Sequence, residues 1–246
     1  MATQRTARVI AAENVGADTR LLELLSDAPL GFAGGQYLIL DSGLVAPGGK
    51  AVKRAYSLLS PDADQRRFQL AVKRLPGGAC SGYLHDLPIG AEVRFSGPWG
   101  KLLPREGAAG PSLVLATDTG VTAALGLVRS GGFAALRAGC TFVWLRPGRD
   151  YFLPDAFVRA ALPPGLREAR VDALPDVGHP ERITICRQLL SAVHARAPLG
   201  QAFLAGDGAV NYALLDDLVA RGVAANRDSV ESFFNMPKKA AASGAA

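Results

Sequence analysis

The stretch KRAYSLLS runs from Lys53 to Ser60, and its apolar and polar side chains alternate with the period of a β-strand. It places a cation, an aromatic hydroxyl and a serine hydroxyl close together at Arg54, Tyr56 and Ser57. On a strand, Arg54 and Tyr56 share one face, and Ser57 faces the other way unless the strand bends. A guanidinium beside an aromatic ring suits a ligand that carries both a phosphate and a flat ring. An exposed arginine next to a half-buried tyrosine is the alternative interpretation of this stretch taken alone.

The segment KRLPGGACSGYLHDL, from Lys73 to Leu87, offers a second set of anion-binding groups. Gly77 and Gly78 allow a tight turn, and the residues that follow have the spacing of a short helix. The free N–H groups at a helix start can hold an anion, and Ser81 would add a hydroxyl there. A plain turn followed by a capped helix is the alternative for this segment alone.

The 246-residue chain changes its rhythm near residue 104. Before this point, short alternating runs separated by Gly, Pro and Asp predict a small antiparallel β-barrel. After it, apolar runs such as PSLVLAT alternate with helical segments, which is the pattern of an α/β Rossmann-like parallel sheet. We therefore predict two domains, 1–103 and 104–246, with a hinge at 104–111 and a disordered C-terminal tail, MPKKAAASGAA. The five barrel strands predicted are ARVIAAENV, GQYLILDSG, KRAYSLLS, RFQLAVKRL and AEVRFSG.

Composition narrows the classes of function. The 27 basic and 22 acidic residues give a formal charge of +5, which fits an acidic partner, but no basic run indicates nucleic-acid binding. The start, MATQRTARVI, lacks the apolar run of a signal peptide, and no stretch of about 18 apolar residues could span a membrane. We therefore expect a cytoplasmic protein. Cys80, Cys140 and Cys186 have neither zinc nor iron–sulfur spacing, so we expect buried, reduced thiols and no metal site.

Taken together, the motifs resemble those of the ferredoxin–NAD(P)H reductase superfamily. The matching runs are Arg54-Ala55-Tyr56-Ser57, Gly77-Gly78-Ala79-Cys80-Ser81-Gly82-Tyr83-Leu84-His85 and Gly97-Pro98-Trp99-Gly100. Their order and spacing agree with the family, as does a barrel followed by an α/β domain, over the range from Arg8 to Asn235. The resemblance implies that the barrel binds FAD and that the α/β domain binds a nicotinamide nucleotide.

The resemblance also implies roles for residues of the barrel. Arg54 would pair with the FAD pyrophosphate, Tyr56 would stack on the isoalloxazine, and Ser57 would hydrogen-bond near flavin N5. The backbone of Val72 and Lys73 would face the flavin edge. The further pyrophosphate contacts that the resemblance implies are Gly78, Cys80 and Ser81, and His85 is expected to cap or pack.

In the second half, LVLATDTGVTAALGLVRS is a strand, a turn and a helix, which is the usual geometry for binding a nucleotide phosphate. The candidate contacts are Thr119, Gly120 and Thr122. Relatives usually have Gly-Gly-Thr-Gly followed by a small residue, Thr and Pro, whereas this turn contains Asp118 and has Ala123 in place of the proline. The Asp118 carboxylate would either repel the pyrophosphate or point aside and cap the helix.

Three further segments carry candidate residues. The Cys-Gly-Pro of relatives is replaced by Ala205-Gly206-Asp207, in which Gly206 stays a candidate nucleotide contact. The terminal SVESFFN offers Glu231 or Phe233 as the residue beside the flavin, and a buried edge strand is the alternative. We group Glu231 with Tyr56 and Ser57 as catalytic candidates. Arg146 and Arg149 follow a strand where an adenosine ribose would lie, and they suit a 2′-phosphate, which favours NADPH over NADH. Solvated surface arginines are the alternative.

The function that the resemblance implies is a flavin-dependent reductase. Hydride would pass from NAD(P)H to FAD, and single electrons would then pass to a ferredoxin or flavodoxin. Such carriers are usually acidic, which fits a basic patch of Lys53, Lys73, Arg74 and Lys101. Two alternatives stay open: a reductase of a small acceptor such as free flavin, a ferric complex or a quinone, and a flavin-binding electron-transfer or regulatory subunit with an impaired nicotinamide site.

Overall fold

A computed structural model describes residues 4–107 and 110–236, which build two β-sheets. The first sheet is antiparallel and has the strand order β4-β3-β6-β1-β2-β5. A single helix, α1 (Ala79–Asp86), belongs to this half of the chain. The six strands are β1 (Gln4–Asn14), β2 (Thr19–Ser26), β3 (Tyr37–Val45), β4 (Ala51–Ser57), β5 (Arg67–Lys73) and β6 (Glu92–Trp99).

The two edge strands of this sheet, β4 and β5, curl toward each other. The segment after β4 bonds to the open edge of β5, where the Leu59 N–H donates to the Gln69 carbonyl at 2.9 Å. The Gln69 N–H in turn donates to the Ser60 hydroxyl at 3.2 Å. Helix α1 packs against β3, β4 and β5 over one apolar core. The prediction of a small antiparallel barrel is confirmed.

Strand β2 was not among the predicted strands. Its sequence, TRLLELLS, is rich in Leu, Glu and Arg, which are good helix formers, and this obscures a strand pattern. The segment is nevertheless extended because it pairs with β1 on one side and with β5 on the other. Pairing at both edges outweighs local propensity here.

The second sheet is entirely parallel and has the order β11-β10-β7-β8-β9. Strands β7, β8 and β10 are buried along their whole length because helices cover both faces of the sheet. This confirms the α/β prediction. The strands are β7 (Ser112–Thr117), β8 (Cys140–Arg146), β9 (Glu168–Ala173), β10 (Gln201–Asp207) and β11 (Val230–Phe234). The helices are α2 (Val121–Arg129), α3 (Asp155–Ala161), α4 (Arg182–Arg196) and α5 (Gly208–Ala220), with 3₁₀ turns at Asp118–Gly120, Gly131–Gly139 and Arg227–Ser229.

Other expectations about the chain have different outcomes. Cys80, Cys140 and Cys186 are buried and free of disulfides, as predicted. The division between residues 103 and 104 stays a prediction. The predicted C-terminal tail lies outside the described residues, apart from Met236. Within the described ranges, none of the helices has the length and apolar character needed to cross a membrane.

Helix α2 packs on the barrel through direct backbone contact. A Cβ atom on Gly126 would lie 2.2 Å from the Leu58 carbonyl oxygen, and one on Gly34 would lie 2.0 Å from the Gly126 carbonyl oxygen. The Arg129 guanidinium strengthens this contact by donating to the Leu59 carbonyl at 2.9 Å. Because there is no room for a side chain at either glycine, helix α2 and the barrel are held together at backbone distance.

We predict that Gly126→Ala lowers the free energy of unfolding by about 2 kcal/mol or more, because the new methyl group overlaps a carbonyl that cannot move freely. The matched control is Gly82→Ala in α1, where an added Cβ meets no atom within 4 Å. This control should gain up to about 1 kcal/mol from the higher helix propensity of alanine. Chemical denaturation measures both, and equal stabilities for the two variants would contradict the close contact.

Candidate functional site

The end of β4 presents the three residues singled out from the sequence. Arg54 is exposed, Tyr56 is half-buried and Ser57 is buried. The Arg54 guanidinium donates to the Lys53 carbonyl at 2.8 Å, and it forms no salt bridge with a carboxylate of the described residues. An exposed cation without a carboxylate partner is available to an anionic ligand.

Tyr56 brings β4 into contact with α1. Burial raises the pKa of the Tyr56 phenol above its ordinary value, and the adjacent Cys80 thiol raises it further. Burial also raises the pKa of Cys80, which the Tyr56 hydroxyl and the Arg54 charge oppose. Both groups therefore stay neutral near pH 7. Because the Arg54 charge opposes the rise in the pKa of Cys80, it acts on the first turn of α1.

The turn before α1 leaves the helix start open. Gly77 has a φ of +69°, which favours glycine, and a Cβ on Gly78 would lie 2.5 Å from the Ser81 hydroxyl. No side chain caps α1. The Ser81 hydroxyl instead accepts from the Leu75 N–H at 3.1 Å and donates to the Gly78 carbonyl at 3.0 Å. Ser81 therefore shapes the turn, and the backbone N–H groups of the first helical turn remain available to an anion.

These features fit FAD. A free guanidinium and an uncapped helix start suit a pyrophosphate, the glycine turn keeps the approach clear, and Tyr56 offers a ring between them. Val72 and Lys73, the two residues expected at the flavin edge, both have partners within the protein. Lys73 pairs with Asp18, and its ammonium lies 4.7 Å from the centre of the Tyr151 ring. His85 Nε2 donates to the Val72 carbonyl at 2.9 Å, so His85 packs as expected.

Glu231 lies where β11 meets the end of the barrel. An added Cβ on Gly100 would lie 3.2 Å from Glu231 Oε2 and 3.1 Å from the Tyr37 ring, so the three residues share one narrow space. Burial raises the pKa of Glu231 from its ordinary value of 4.5 to about 7. The pKa of Tyr37 is also raised, mainly by burial and then by the Glu231 charge. Phe233, the other candidate from this strand, is partly exposed.

Asp118 does not cap a helix, and its carboxylate is paired with a buried cation. Its side chain is completely buried, it caps no helix, and it forms a salt bridge with Arg182 at 2.5 Å. The backbone at Asp118 has a φ of +54°, which turns the carboxylate inward, away from the start of α2. The interpretation of Asp118 as a helix cap is therefore wrong, whereas its repulsion of a pyrophosphate stays a prediction, opposed by the paired Arg182.

The other turn residues lie at the carboxyl ends of β7 and β10. A Cβ on Gly120 would lie 2.3 Å from the Ala205 carbonyl oxygen, and one on Gly206 would lie 2.2 Å from the Thr117 carbonyl oxygen. Both glycines are thus required by the close approach of these two strand ends. The Thr122 hydroxyl donates to the Thr119 carbonyl at 3.0 Å, and no side chain caps α2.

Arg146 is not available to a 2′-phosphate. It is 4% exposed, pairs with Asp155, donates to the Arg149 carbonyl and stacks 4.8 Å from the Trp144 ring. A buried guanidinium needs such partners, and the strand end supplies them. The expectation for Arg146 is therefore wrong. Arg149 is exposed and stays a candidate.

The predicted basic patch is largely neutralised. Each of its four residues lies within salt-bridge distance of an aspartate: Lys53 with Asp41, Lys73 with Asp18, Arg74 with Asp86 and Lys101 with Asp228. These pairs cancel much of the charge that an acidic carrier would meet. We call Arg54, Tyr56, Ser57 and the start of α1 the flavin cradle. Arg54 forms no salt bridge with a carboxylate of the described residues, so its charge is not cancelled in this way.

Four residues of this region were missed in the sequence: Tyr37, Tyr151, Arg182 and Asp207 in its role as a helix cap. Asp207 accepts from the Ala209 N–H at 3.0 Å and lies 3.3 Å from Arg182. Arg182 and Tyr151 carry no local signal, because their partners come from distant segments. The Asp207-Gly208 start of α5 is the one signal that could have been used, since aspartate favours the N-cap position.

Comparisons with known proteins identify the family of the barrel half. Residues 6–103 match the protein family described as oxidoreductase FAD-binding domain. Over 121 residues the chain is 45% identical to ferredoxin–NADP reductase B of Sorangium cellulosum, which covers 49% of this chain and 47% of that protein. The chain thus spans about half of the length of this relative.

Two longer matches cover nearly the whole chain. A ferredoxin–NAD(P)(+) reductase component of naphthalene 1,2-dioxygenase/salicylate 5-hydroxylase systems from Ralstonia is 28% identical over 92% of this chain and 68% of that protein. A solved ferredoxin reductase in carbazole 1,9a-dioxygenase has a TM-score of 0.72 at 20% identity and covers 95% of this chain and 69% of its own. This structural match shows that the fold is shared.

We predict that Glu231→Gln stabilises the protein at neutral and alkaline pH and has little effect at acidic pH. The folded state keeps the Glu231 proton up to about pH 7, whereas the unfolded chain releases it near pH 4.5. The stability from this group is therefore full below pH 4.5 and is lost as the pH rises through 7. The gain of the glutamine variant should grow across this window to a value on the order of 2 kcal/mol.

Thermal unfolding of both proteins between pH 4 and pH 8.5 measures this difference. The exposed Glu92→Gln on β6 is the control and should show no such trend. A Glu231→Gln curve parallel to that of the parent would show that Glu231 titrates at its ordinary pH.

Proposed function

Since residues 6–103 match an oxidoreductase FAD-binding domain, we propose that this chain is a member of the ferredoxin–NAD(P)H reductase superfamily, an NAD(P)H-dependent flavoprotein reductase that passes single electrons to a ferredoxin or flavodoxin. One observation carries the proposal: the carboxyl edge of the parallel sheet meets the barrel beside the flavin cradle. Tyr151, which follows β8, lies over Lys73, and Glu231 of β11 lies beside Tyr37 and Gly100. A nucleotide bound at that sheet edge would have its reactive ring close to the flavin.

In this proposal, the barrel residues bind and orient FAD. Arg54 would pair with the pyrophosphate together with the backbone N–H groups at the start of α1. Tyr56 would cover the flavin ring, and the buried Ser57 hydroxyl would hydrogen-bond to its edge. FAD, when bound, accepts two electrons from a nicotinamide and releases them one at a time.

Glu231 is proposed to hold a proton at the edge of this cleft. Because burial brings its pKa to about 7, the carboxyl oxygen can carry or release a proton at neutral pH. Tyr37 lies against the same space, and its phenol stays protonated because burial raises its pKa. Both groups border the narrow region beside Gly100.

The nicotinamide nucleotide is proposed to bind at the carboxyl ends of β7 and β10. The start of α2 has no side-chain cap, so its N–H groups can meet a pyrophosphate, with Thr119, Gly120, Thr122 and Gly206 at its border. With Arg146 buried, a preference for NADPH depends on Arg149 alone, which stands exposed next to the exposed Asp150.

A reductase of a small acceptor is the second candidate function. It is favoured by the pairing of Lys53, Arg74 and Lys101 with carboxylates, which reduces the positive charge available to dock an acidic protein. The relatives named above are a ferredoxin–NADP reductase and a ferredoxin–NAD(P)(+) reductase component, which supports the first candidate. Steady-state reduction of a ferredoxin, of free flavin and of a ferric complex separates the two candidates.

We predict that Arg54→Ala weakens FAD binding by about 1.5–3 kcal/mol, because a charge-assisted pair with the pyrophosphate is lost. The matched control is Lys53→Ala, the neighbour on the opposite face of β4, which removes an exposed pair with Asp41 and should change FAD affinity by less than about 1 kcal/mol. Titration of the flavin-free protein with FAD measures both constants. Equal constants for Arg54→Ala and the parent would remove Arg54 from the site.

We predict that the flavin-loaded protein loses its flavin absorbance on anaerobic mixing with NADH or NADPH.

Arg149→Ala should lower kcat/KM for NADPH by about tenfold and leave the value for NADH nearly unchanged, because only NADPH carries the 2′-phosphate. Stopped-flow absorbance with each nucleotide measures these values. An unchanged flavin spectrum with both nucleotides would instead indicate a flavin-binding subunit without nicotinamide chemistry.

A further inference from the structure

A buried charge cluster occupies the carboxyl ends of β7 and β10. Asp118 is 0% exposed, Asp207 is 2% exposed and Arg182, the first residue of α4, is 2% exposed. One guanidinium nitrogen of Arg182 lies 2.5 Å from Asp118 Oδ2, and its Nε lies 3.3 Å from Asp207 Oδ2. The remaining nitrogen donates to the Pro175 carbonyl after β9. A single side chain therefore links three loops at the edge of the sheet.

The charges in this cluster do not balance. Two carboxylates face one guanidinium, and Asp118 Oδ1 is buried without a hydrogen-bond partner among the described residues. Burial raises the pKa of Asp118, while Arg182 opposes that rise. Asp207 Oδ1 is satisfied by the Ala209 N–H and by the Asn235 amide. Without Arg182, the same space would hold two carboxylates and no cation.

The cluster lies at the place where the proposed function puts a pyrophosphate. Asp118 is the first residue of the 3₁₀ turn that leads into α2, and Asp207 caps the start of α5 on the neighbouring strand. A pyrophosphate brings negative charge to this edge, and buried carboxylates repel it strongly because protein screens charge less than water does. Arg182 is the group that offsets this repulsion.

We propose that Arg182 is a positioning residue of the nucleotide site, which admits a pyrophosphate by neutralising Asp118 and Asp207 and by fixing the carboxyl ends of β7 and β10. This inference rests on the proposed function. The class of ligand it concerns is a dinucleotide or a nucleoside diphosphate derivative. It identifies a residue from α4 that touches neither the nicotinamide nor the flavin.

The test compares substrates that differ in phosphate charge. The flavin-loaded parent, Arg182→Met and Arg182→Lys are assayed with NADH and with reduced nicotinamide riboside, which has the same reactive ring and no phosphate. We expect Arg182→Met to raise KM for NADH by about tenfold or more and to change kcat/KM for the riboside by less than about twofold. Arg182→Lys should recover most of the loss because it restores the charge.

A second variant keeps the test decisive if Arg182→Met folds poorly. Asp118→Asn has nearly the same shape and makes the cluster neutral, so it should lower KM for NADH by a few fold, again without affecting the riboside. Calorimetry with ADP-ribose, which carries the pyrophosphate but no nicotinamide, gives the same comparison without turnover. Its Kd should rise in Arg182→Met and fall in Asp118→Asn.

The outcomes separate the two proposals. If the parent oxidises NADH and the variants change NADH and the riboside equally, or leave ADP-ribose binding unchanged, Arg182 is purely structural and the inference is overturned. If the parent neither oxidises a nicotinamide nucleotide nor binds ADP-ribose, the proposed function fails and this inference falls with it.

Discussion

The contact between helix α2 and the chain just after β4 is the constraint on which the rest of the site depends. Gly126 lies against the Leu58 carbonyl, and Leu58 directly follows Ser57 of the flavin cradle. Helix α2 itself begins at the turn that is proposed to bind the nucleotide. With a rise of about 1.5 Å per residue, Gly126 lies roughly 7.5 Å along this helix from its first residue, Val121. A backbone contact that admits no side chain thus fixes the separation of two binding regions built from different sheets.

The different burial and pairing of three arginines shows why a basic residue in a sequence is a weak indicator of a binding site. Arg146 and Arg182 are both buried at the carboxyl edge of the parallel sheet, where each pairs with an aspartate. A buried guanidinium that lacked such partners would be strongly destabilising, so these two are committed to the fold. Arg54 is exposed and has no carboxylate partner among the described residues, which leaves it free for a ligand. Availability is decided by tertiary pairing.

The same distinction explains what could be predicted from the sequence. The cradle was accessible because Arg54, Tyr56 and Ser57 lie on one strand, and the Gly77-Gly78 turn lies next to the helix that it opens. The α/β half was accessible because doubly covered strands are apolar throughout. Strand β2 was missed because its leucines, glutamate and arginine favour helix locally, and only pairing with β1 and β5 makes it extended. The role of Asp118 was missed because its partner lies 64 residues away.

One row of side chains across the parallel sheet places an ionisable residue beside the position where the resembled family usually has a cysteine. The residues in register there are Val171, Trp144, Ala116, Ala205 and Glu231, from β9 across to β11. Members of the resembled family usually have a cysteine at the end of β10, and this chain has alanine. Glu231, the ladder neighbour of Ala205, is the ionisable residue of this row. Burial holds its proton up to about pH 7, below the ordinary pKa of a thiol near 8.5, so the edge keeps a proton-bearing group that titrates at neutral pH. Glu231 lies one strand away from Ala205, and its side chain faces Tyr37 and the barrel.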